Sequence, residues 1–284
     1  MTQPTFSHFS FRHVPASRGI AWWGEGWRSF LRAPWVWLGL SLGLFLISIL
    51  LHLFPLGGLL TQWLNMPLFA LGAVFASVLH HRWRYQSGIT PPGQRAEADN
   101  EGALGESSRQ WGARLGSLML ASLLVLLFVG LGIFVLVLLL GVSFGFGLFS
   151  PVALEHMFRG SPGVMMAGMG MRLGLVMGMG MVVLGLLFVA SALFWFVGTL
   201  VALGGAGPWD AIRLSTRAAL NNLGALLMFS LLLVPFGILA MIPMGLGLLV
   251  LLPVLSGASY ASYDDVFGAA PLAAPELPSQ VPAP

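Results

Sequence analysis

Long apolar runs constrain this chain more than any other feature. The first, Trp35–Phe54, contains no Asp, Glu, Lys or Arg and holds thirteen Leu, Ile, Val or Phe residues. As an α-helix it would span about 30 Å, the thickness of the hydrocarbon core of a bilayer. Its insertion is favourable by roughly 4–8 kcal/mol as an upper bound. The run predicts a retained transmembrane helix, because it begins too late in the chain for a cleavable signal peptide.

The composition agrees with a lipid environment. The chain is 57% hydrophobic and only 8% charged, with a mean hydropathy of +0.88. Too few polar side chains are present to cover a water-soluble fold. The absence of Cys excludes disulfides and thiolate chemistry. The basic residues are all Arg and are dispersed, so the net charge of +3 does not predict a nucleic-acid partner.

Taken in order, the apolar runs predict an all-α polytopic integral membrane protein. We expect about six transmembrane helices, arranged as three hairpins with amphipathic interfacial helices. Gly141–Leu154 is interrupted by glycines and Pro151, and we expect it to be interfacial or partly re-entrant. The predicted segments are a cytoplasmic N-terminus with an amphipathic helix (1–34), a first hairpin (35–80), a hydrophilic cytoplasmic loop (81–114), a second hairpin with a Gly/Met-rich outer segment (115–203), a cytoplasmic amphipathic helix (204–222), a third hairpin (223–263) and a disordered cytoplasmic tail (264–284).

The arginines predict the orientation. With six spans and both termini cytoplasmic, 11 of the 13 arginines face the cytoplasm, as the positive-inside rule requires. A seven-span alternative, in which 115–154 forms a hairpin, satisfies the rule equally well. Segment length and the Gly/Pro interruptions favour six.

Two amphipathic segments carry the candidate binding residues. In the first, Glu25, Arg28 and Arg32 lie opposite an apolar face at helical periodicity. That face comprises Ile20, Trp23, Trp27, Phe30 and Leu31. In the second, Arg213 and Arg217 are four residues apart. Such helices lie among lipid headgroups, so we expect these four arginines to contact anionic headgroups or a partner protein.

A Met-rich segment is the most unusual part of the sequence. Thioethers are soft ligands that select Cu(I), which makes this segment a candidate metal site. Its candidate ligands are His156, Met157, Met165, Met166, Met169 and Met171. The competing interpretation is close helix packing, because glycines such as Gly174 and Gly178 alternate with the methionines. Packing is favoured.

Several motifs resemble one bacterial family. They are Pro208-x-x-Ala211-x-x-x-Ser215, Asn222, the C-terminal Tyr260-Ala-Ser-Tyr-Asp-Asp-Val-Phe267, and Val14-Pro-Ala-x-x-Gly19. Together they resemble the uncharacterised YciC-like inner-membrane proteins, and more distantly the membrane domain attached to some glycerophosphodiester phosphodiesterases. The resemblance covers most of the chain but is weak between 81 and 172. It implies a six-helix protein of the bacterial inner membrane and brings no catalytic residues.

The sequence predicts no enzyme and no cofactor. The confident spans carry no ionisable residue in their interior, which ion-coupled transporters usually need. No nucleophile triad, paired carboxylates or phosphate loop is present in the sequence. We therefore expect an envelope scaffold or assembly factor, with membrane lipid, a second copy or another membrane protein as partner. The alternatives are a transporter of lipid or small apolar solutes, using helices broken at prolines such as Pro235 and Pro253, and copper handling by the Met-rich segment.

Overall fold

The computed structural model describes residues 11–86, 102–148, 155 and 162–268, and these residues form helices joined by turns and short irregular segments, without strands. The helices are α1 (Arg18–Arg32), α2 (Pro34–His52), α3 (Gly57–Gln86), α4 (Gly102–Leu148), α5 (Pro162–Leu193), α6 (Val197–Ala202), α7 (Pro208–Asn221), α8 (Leu223–Met241) and α9 (Leu248–Phe267). The predicted fold class is confirmed: the chain is an all-α polytopic membrane protein.

Five helical segments of the described residues are long and apolar enough to cross a membrane. They are Pro34–His52, Gly57–Arg84, Arg114–Leu138, Met177–Ala202 and Leu223–Met241. The sixth predicted span corresponds to α9, which is helical but does not reach the same apolarity. Its second half contains two serines, two tyrosines and two aspartates. These polar residues lower its hydropathy, and ten of the 20 residues of α9 are buried inside the protein.

The middle of the chain is helical over long stretches. Helix α4 continues without interruption to Leu148, so 141–148 is helical although it contains several glycines. The seven-span alternative needs a turn inside 115–154, and α4 is one continuous helix from Gly102 to Leu148. Helix α5 begins at Pro162, within the predicted second hairpin. Proline at the first helical position is a favourable start, because its missing N–H has no partner there anyway.

The chain divides into two compact units. Unit 1 comprises Met1–Ser122 and Trp195–Pro284, and unit 2 comprises Leu123–Phe194. In unit 2 none of the side chains that the structure describes is buried. A Cβ at Gly174 or Gly178 would meet open space. Within the described part of the chain these glycines therefore contact no neighbouring helix. The structure gives no support there for the helix-packing interpretation.

Small residues lie where the helices of unit 1 approach most closely. A Cβ on Gly26 of α1 would collide with the Val254 carbonyl of α9. A Cβ on Gly257 would lie 2.8 Å from the Ser29 Cβ, and one on Gly72 of α3 would lie 2.5 Å from the Ser256 Oγ. Glycine at these positions lets the helix backbones approach closely. Helix α9 is consequently the centre of unit 1.

The orientation of α1 differs from the predicted one. Trp23 and Phe30 of its predicted apolar face are buried, but Trp27 and Leu31 are exposed, as is Ile20. The buried residues of α1 are Gly19, Trp22, Trp23, Gly26, Ser29 and Phe30, and all but Phe30 contact α8 or α9. One face of α1 therefore packs against the rest of unit 1. A second, apolar face, formed by Ile20, Trp27 and Leu31, is exposed.

Candidate functional site

The charged residues of unit 1 collect at one end. Helices α3 and α9 run in parallel, because Gly72 lies against Ser256 and, further along both helices, the His80 ring lies 5.7 Å from the Tyr260 ring. The turns before these helices, 53–56 and 242–247, contain no Asp, Glu, Lys or Arg. The arginines of unit 1 whose side chains the structure describes lie at the opposite end, which we call the charged end. They are Arg12, Arg18, Arg28, Arg32, Arg82, Arg84, Arg114, Arg213 and Arg217.

An ion-pair cluster joins α1 to α9 at this end. Arg18 donates two hydrogen bonds of 2.6 Å, from Nε and Nη2, to the two carboxylate oxygens of Asp265. The Trp22 indole N–H donates a third, also 2.6 Å long. Arg18 Nη2 also lies 3.4 Å from a Glu25 carboxylate oxygen. Such a bidentate, charge-assisted arrangement fixes both distance and angle between the helices.

The N-terminal segment 11–17 is ordered against the same end. The Val14 amide donates to the Asn222 side-chain oxygen at 2.7 Å, and the Asn222 amide donates to the Arg12 carbonyl at 3.0 Å. The Arg12 amide donates to the Val266 carbonyl at 2.8 Å. Asn222 is fully buried. These bonds bring the first described residues against the start of α8 and the end of α9.

A cleft of about 220 Å³ opens between α1, α3 and α9. Its lining contains two of the four arginines that the sequence singles out, together with aromatic and imidazole side chains from the other helices. The lining residues are Glu25, Arg28, Ser29, Arg32, Ala76, His80, Trp83, Gly257, Tyr260 and Ala261. This polar cleft is the candidate functional site.

The cleft holds two arginines, and the charge of Glu25 acts on both of them. The Arg32 guanidinium lies over the Trp83 ring, 4.6 Å from its centroid, a cation–π contact that fixes its position. Burial lowers the pKa of Arg32, and the nearby charge of Arg28 lowers it further. Within the described residues neither arginine forms an ion pair. The site is therefore electropositive.

The acid in the cleft, Glu25, already has a cationic partner. Burial raises the pKa of the Glu25 carboxyl above its ordinary value, against the opposing charge of Arg18. Glu25 nevertheless keeps its contact with Arg18, which is held in turn by Asp265. The charges that line the cleft are two cations and one acid, and that acid has its own cationic partner. The free partners that remain for a ligand are Arg28 and Arg32.

The other two predicted arginines lie on α7 and do not line the cleft. The Arg213 guanidinium is 5.2 Å from the centroid of the Trp209 ring on the same helix. Arg217 is exposed. The structure thus separates the four residues into a cleft pair on α1 and a surface pair on α7.

The side chains of the predicted metal ligands lie outside the part of the chain that the structure describes. His156 and Met157 lie outside the described residues, and the side chains of Met165, Met166, Met169 and Met171 are likewise outside the described part. Among the described residues, no group of three or more His, Cys, Asp or Glu side chains is placed to hold a metal ion. Copper binding stays a prediction from the sequence.

No protein-family model matches the chain, and comparisons with curated proteins and with solved structures found no match. The class of protein therefore follows from the helices themselves. It is a polytopic α-helical membrane protein with a charged end and a polar cleft at that end.

Sequence reasoning missed part of this site. His80, Trp83 and Tyr260 reach the cleft from helices distant in sequence from α1, and Asp265 reaches Arg18 across 247 positions. One signal was present, since Tyr260 and Asp265 belong to the C-terminal motif that resembles the bacterial family. That motif gave no indication of which helix it would contact.

Proposed function

We propose that this chain is a non-enzymatic integral membrane protein of the bacterial inner membrane that scaffolds or organises envelope components. Its charged end would bind an anionic leaflet. The observation that supports this proposal is the collection of the described arginines of unit 1 at one end, with uncharged turns at the other. Each arginine near an anionic surface contributes about 1 kcal/mol of attraction. The surface pair Arg213 and Arg217, with Trp209 beside Arg213, has the composition of a headgroup-contacting helix.

The tight core of unit 1 supports a scaffold rather than a carrier. Gly26 and Gly257 allow α1 and α9 to approach until little space remains between them. Pro235 and Pro253 lie inside the continuous helices α8 and α9, so neither proline breaks its helix. A transport pathway between α8 and α9 would need such a break. Transport of lipid or a small apolar solute remains the second candidate, without an observation that favours it.

The resemblance to the YciC-like family is part of the same proposal. Its motifs include Asn222 and the segment around Asp265, which hold the N-terminal segment and α1 at the charged end. We propose that the motif residues build this end, which would account for their occurrence without a catalytic role.

The proposal is tested by reconstitution. The purified protein is placed in nanodiscs of phosphatidylcholine, with or without phosphatidylglycerol, and its thermal unfolding is followed. We expect a higher unfolding midpoint with the anionic lipid, and a smaller difference at high salt, because salt screens exposed charges. The variant Arg213→Gln/Arg217→Gln should lose part of the difference, while Leu220→Gln, an exposed change on the same helix, should keep it.

An unfolding midpoint that is independent of anionic lipid would refute the proposal. Transport is tested in the same preparation, by following the movement of a fluorescent phospholipid between leaflets of proteoliposomes. Faster movement than in protein-free vesicles would favour the second candidate.

A further inference from the structure

We propose that the cleft between α1, α3 and α9 binds a phosphate group through Arg28 and Arg32. This inference rests on the proposed function and deepens it, because it assigns one defined site for an anion in addition to the general attraction of the charged end. The residues concerned are two unpaired guanidiniums on one helix, four positions apart, on the wall of a cleft that other helices complete.

The volume of the cleft and the position of its two arginines favour a bound anion over an empty space between the helices. The cleft, about 220 Å³, is far larger than the roughly 15 Å³ that one water requires. Two guanidiniums held close together repel each other, and here Trp83 fixes one of them instead of letting it turn away. The phosphate oxygens match the planar N–H pairs of arginine, which bind them in a bidentate manner. An entering phosphate would relieve the repulsion between Arg28 and Arg32.

The remaining walls supply further donors. Ser29 is only 4% exposed, and its Oγ has no hydrogen-bond partner among the residues that the structure describes. Ser29 lines the cleft, and in the sequence it lies between Arg28 and Arg32. A buried hydroxyl without a partner is unfavourable, and the Ser29 Oγ is closed to solvent, so a phosphate oxygen would satisfy it after the side chain turns toward the cleft. His80 and Tyr260 add an imidazole and a phenol to the same walls.

The surroundings indicate a phospholipid headgroup as the source of the phosphate. Trp27 and Leu31 are exposed on α1, next in sequence to Arg28 and Arg32. A helix with this pattern lies at the level of the headgroups, where acyl chains can follow its apolar stripe while the phosphate enters the cleft. Free phosphate shares the same recognition chemistry but would not use this stripe.

The test compares two double variants that remove the same charge. Arg28→Gln/Arg32→Gln removes the cleft pair, and Arg213→Gln/Arg217→Gln removes the surface pair. Binding of short-chain phosphatidylglycerol to each purified protein in detergent is followed by tryptophan fluorescence, and sodium phosphate is titrated in a parallel arm. We expect the cleft variant to bind the lipid at least roughly tenfold more weakly than the wild type, since charged hydrogen bonds are lost. The surface variant should bind as the wild type does.

The arms distinguish the possible sources of phosphate. Binding of both compounds, with the lipid tighter, supports a headgroup site. Binding of sodium phosphate alone, lost in the cleft variant, supports the anion site with a soluble ligand. Equal lipid binding by wild type and cleft variant would overturn the proposal, as would no binding of either compound to the wild type. In either case anionic nanodiscs could still stabilise the protein, which would leave the proposed function standing.

A second variant is used if the double variant does not fold. If Arg28→Gln/Arg32→Gln does not give a monodisperse helical protein, Trp83→Leu takes its place, because it keeps both charges and removes the ring beneath Arg32. We expect weaker lipid binding for Trp83→Leu as well. Wild-type affinity in this variant together with wild-type affinity in Arg32→Gln would overturn the proposal.

Discussion

The guanidinium of Arg18 and the carboxylate of Asp265 form two parallel hydrogen bonds of 2.6 Å, although 247 positions separate the residues in the chain. Asp265 also accepts a hydrogen bond from Trp22, so three charge-assisted bonds join the start of α1 to the end of α9. Because α1 also carries Arg28 and Arg32, this cluster determines where the cleft arginines lie. The stability of the charged end and the shape of the cleft therefore depend on the same contact.

Removal of that contact should destabilise the protein. Arg18→Gln is expected to lower the free energy of unfolding by roughly 1–3 kcal/mol, because the carboxylate of Asp265 loses its cationic partner. The partial exposure of both side chains, 34% and 22%, keeps the effect below that of a fully buried pair. Thermal unfolding in detergent measures the difference. Arg217→Gln, an exposed change that removes the same charge, serves as the control.

A double-mutant cycle separates the pair from its surroundings. Asp265→Asn alone should cost about as much as Arg18→Gln, and the double variant should cost less than the sum of the two. Strictly additive effects would mean that the contact between Arg18 and Asp265 contributes nothing to stability.

Close approach of α1 and α9 gives a second prediction. Gly26→Ala places a methyl group against the Val254 carbonyl, and neither backbone can move independently of its helix. We expect a loss of about 1–3 kcal/mol from overpacking. Gly39→Ala on α2 is the matched control, because no atom lies within 4 Å of its added Cβ. The control should be neutral, or stabilising by up to about 1 kcal/mol through helix propensity. Equal midpoints for the two variants would contradict this packing.

Asn222 gives a third prediction, about the N-terminal segment. Asn222→Ala removes the acceptor for the Val14 amide and the donor to the Arg12 carbonyl. The Val14 amide should then exchange hydrogen much faster, which mass spectrometry after deuterium labelling can measure. Asn221→Ala is the control, because His13 contacts only the backbone carbonyl of Asn221. Unchanged protection of the segment in Asn222→Ala would show that other contacts hold it.

The sequence predicts the spans better than the site for a physical reason. An apolar run longer than about 18 residues has few alternatives to a membrane helix. The sequence therefore predicts the bounds of α2 and α8 closely. Hydrophobic periodicity also finds α1 and α7 as helices. It does not find the packed face of α1, because Gly19 and Gly26 add nothing to an apolar pattern while they allow the closest contacts. The cleft needs three helices in register, which no local pattern encodes.

The orientation of the chain gives the last prediction, and the absence of Cys makes it simple to test. Leu56, in the turn between α2 and α3, is 65% exposed, and Met244, in the turn between α8 and α9, is 95% exposed. With six spans and the arginines cytoplasmic, both turns face outward. In intact cells a membrane-impermeant maleimide should therefore label Leu56→Cys and Met244→Cys. Asn221→Cys, at the exposed end of α7, should react only after the membrane is permeabilised.

The pattern of labelling identifies which assumption fails. Reaction of Leu56→Cys without Met244→Cys would mean an odd number of crossings between the two turns, as the seven-span alternative requires. Reaction of Asn221→Cys alone would mean that the charged end faces outward. That result would contradict the positive-inside argument, and it would place the Arg28–Arg32 cleft on the opposite leaflet from the one proposed, so that the source of its phosphate would have to be sought there.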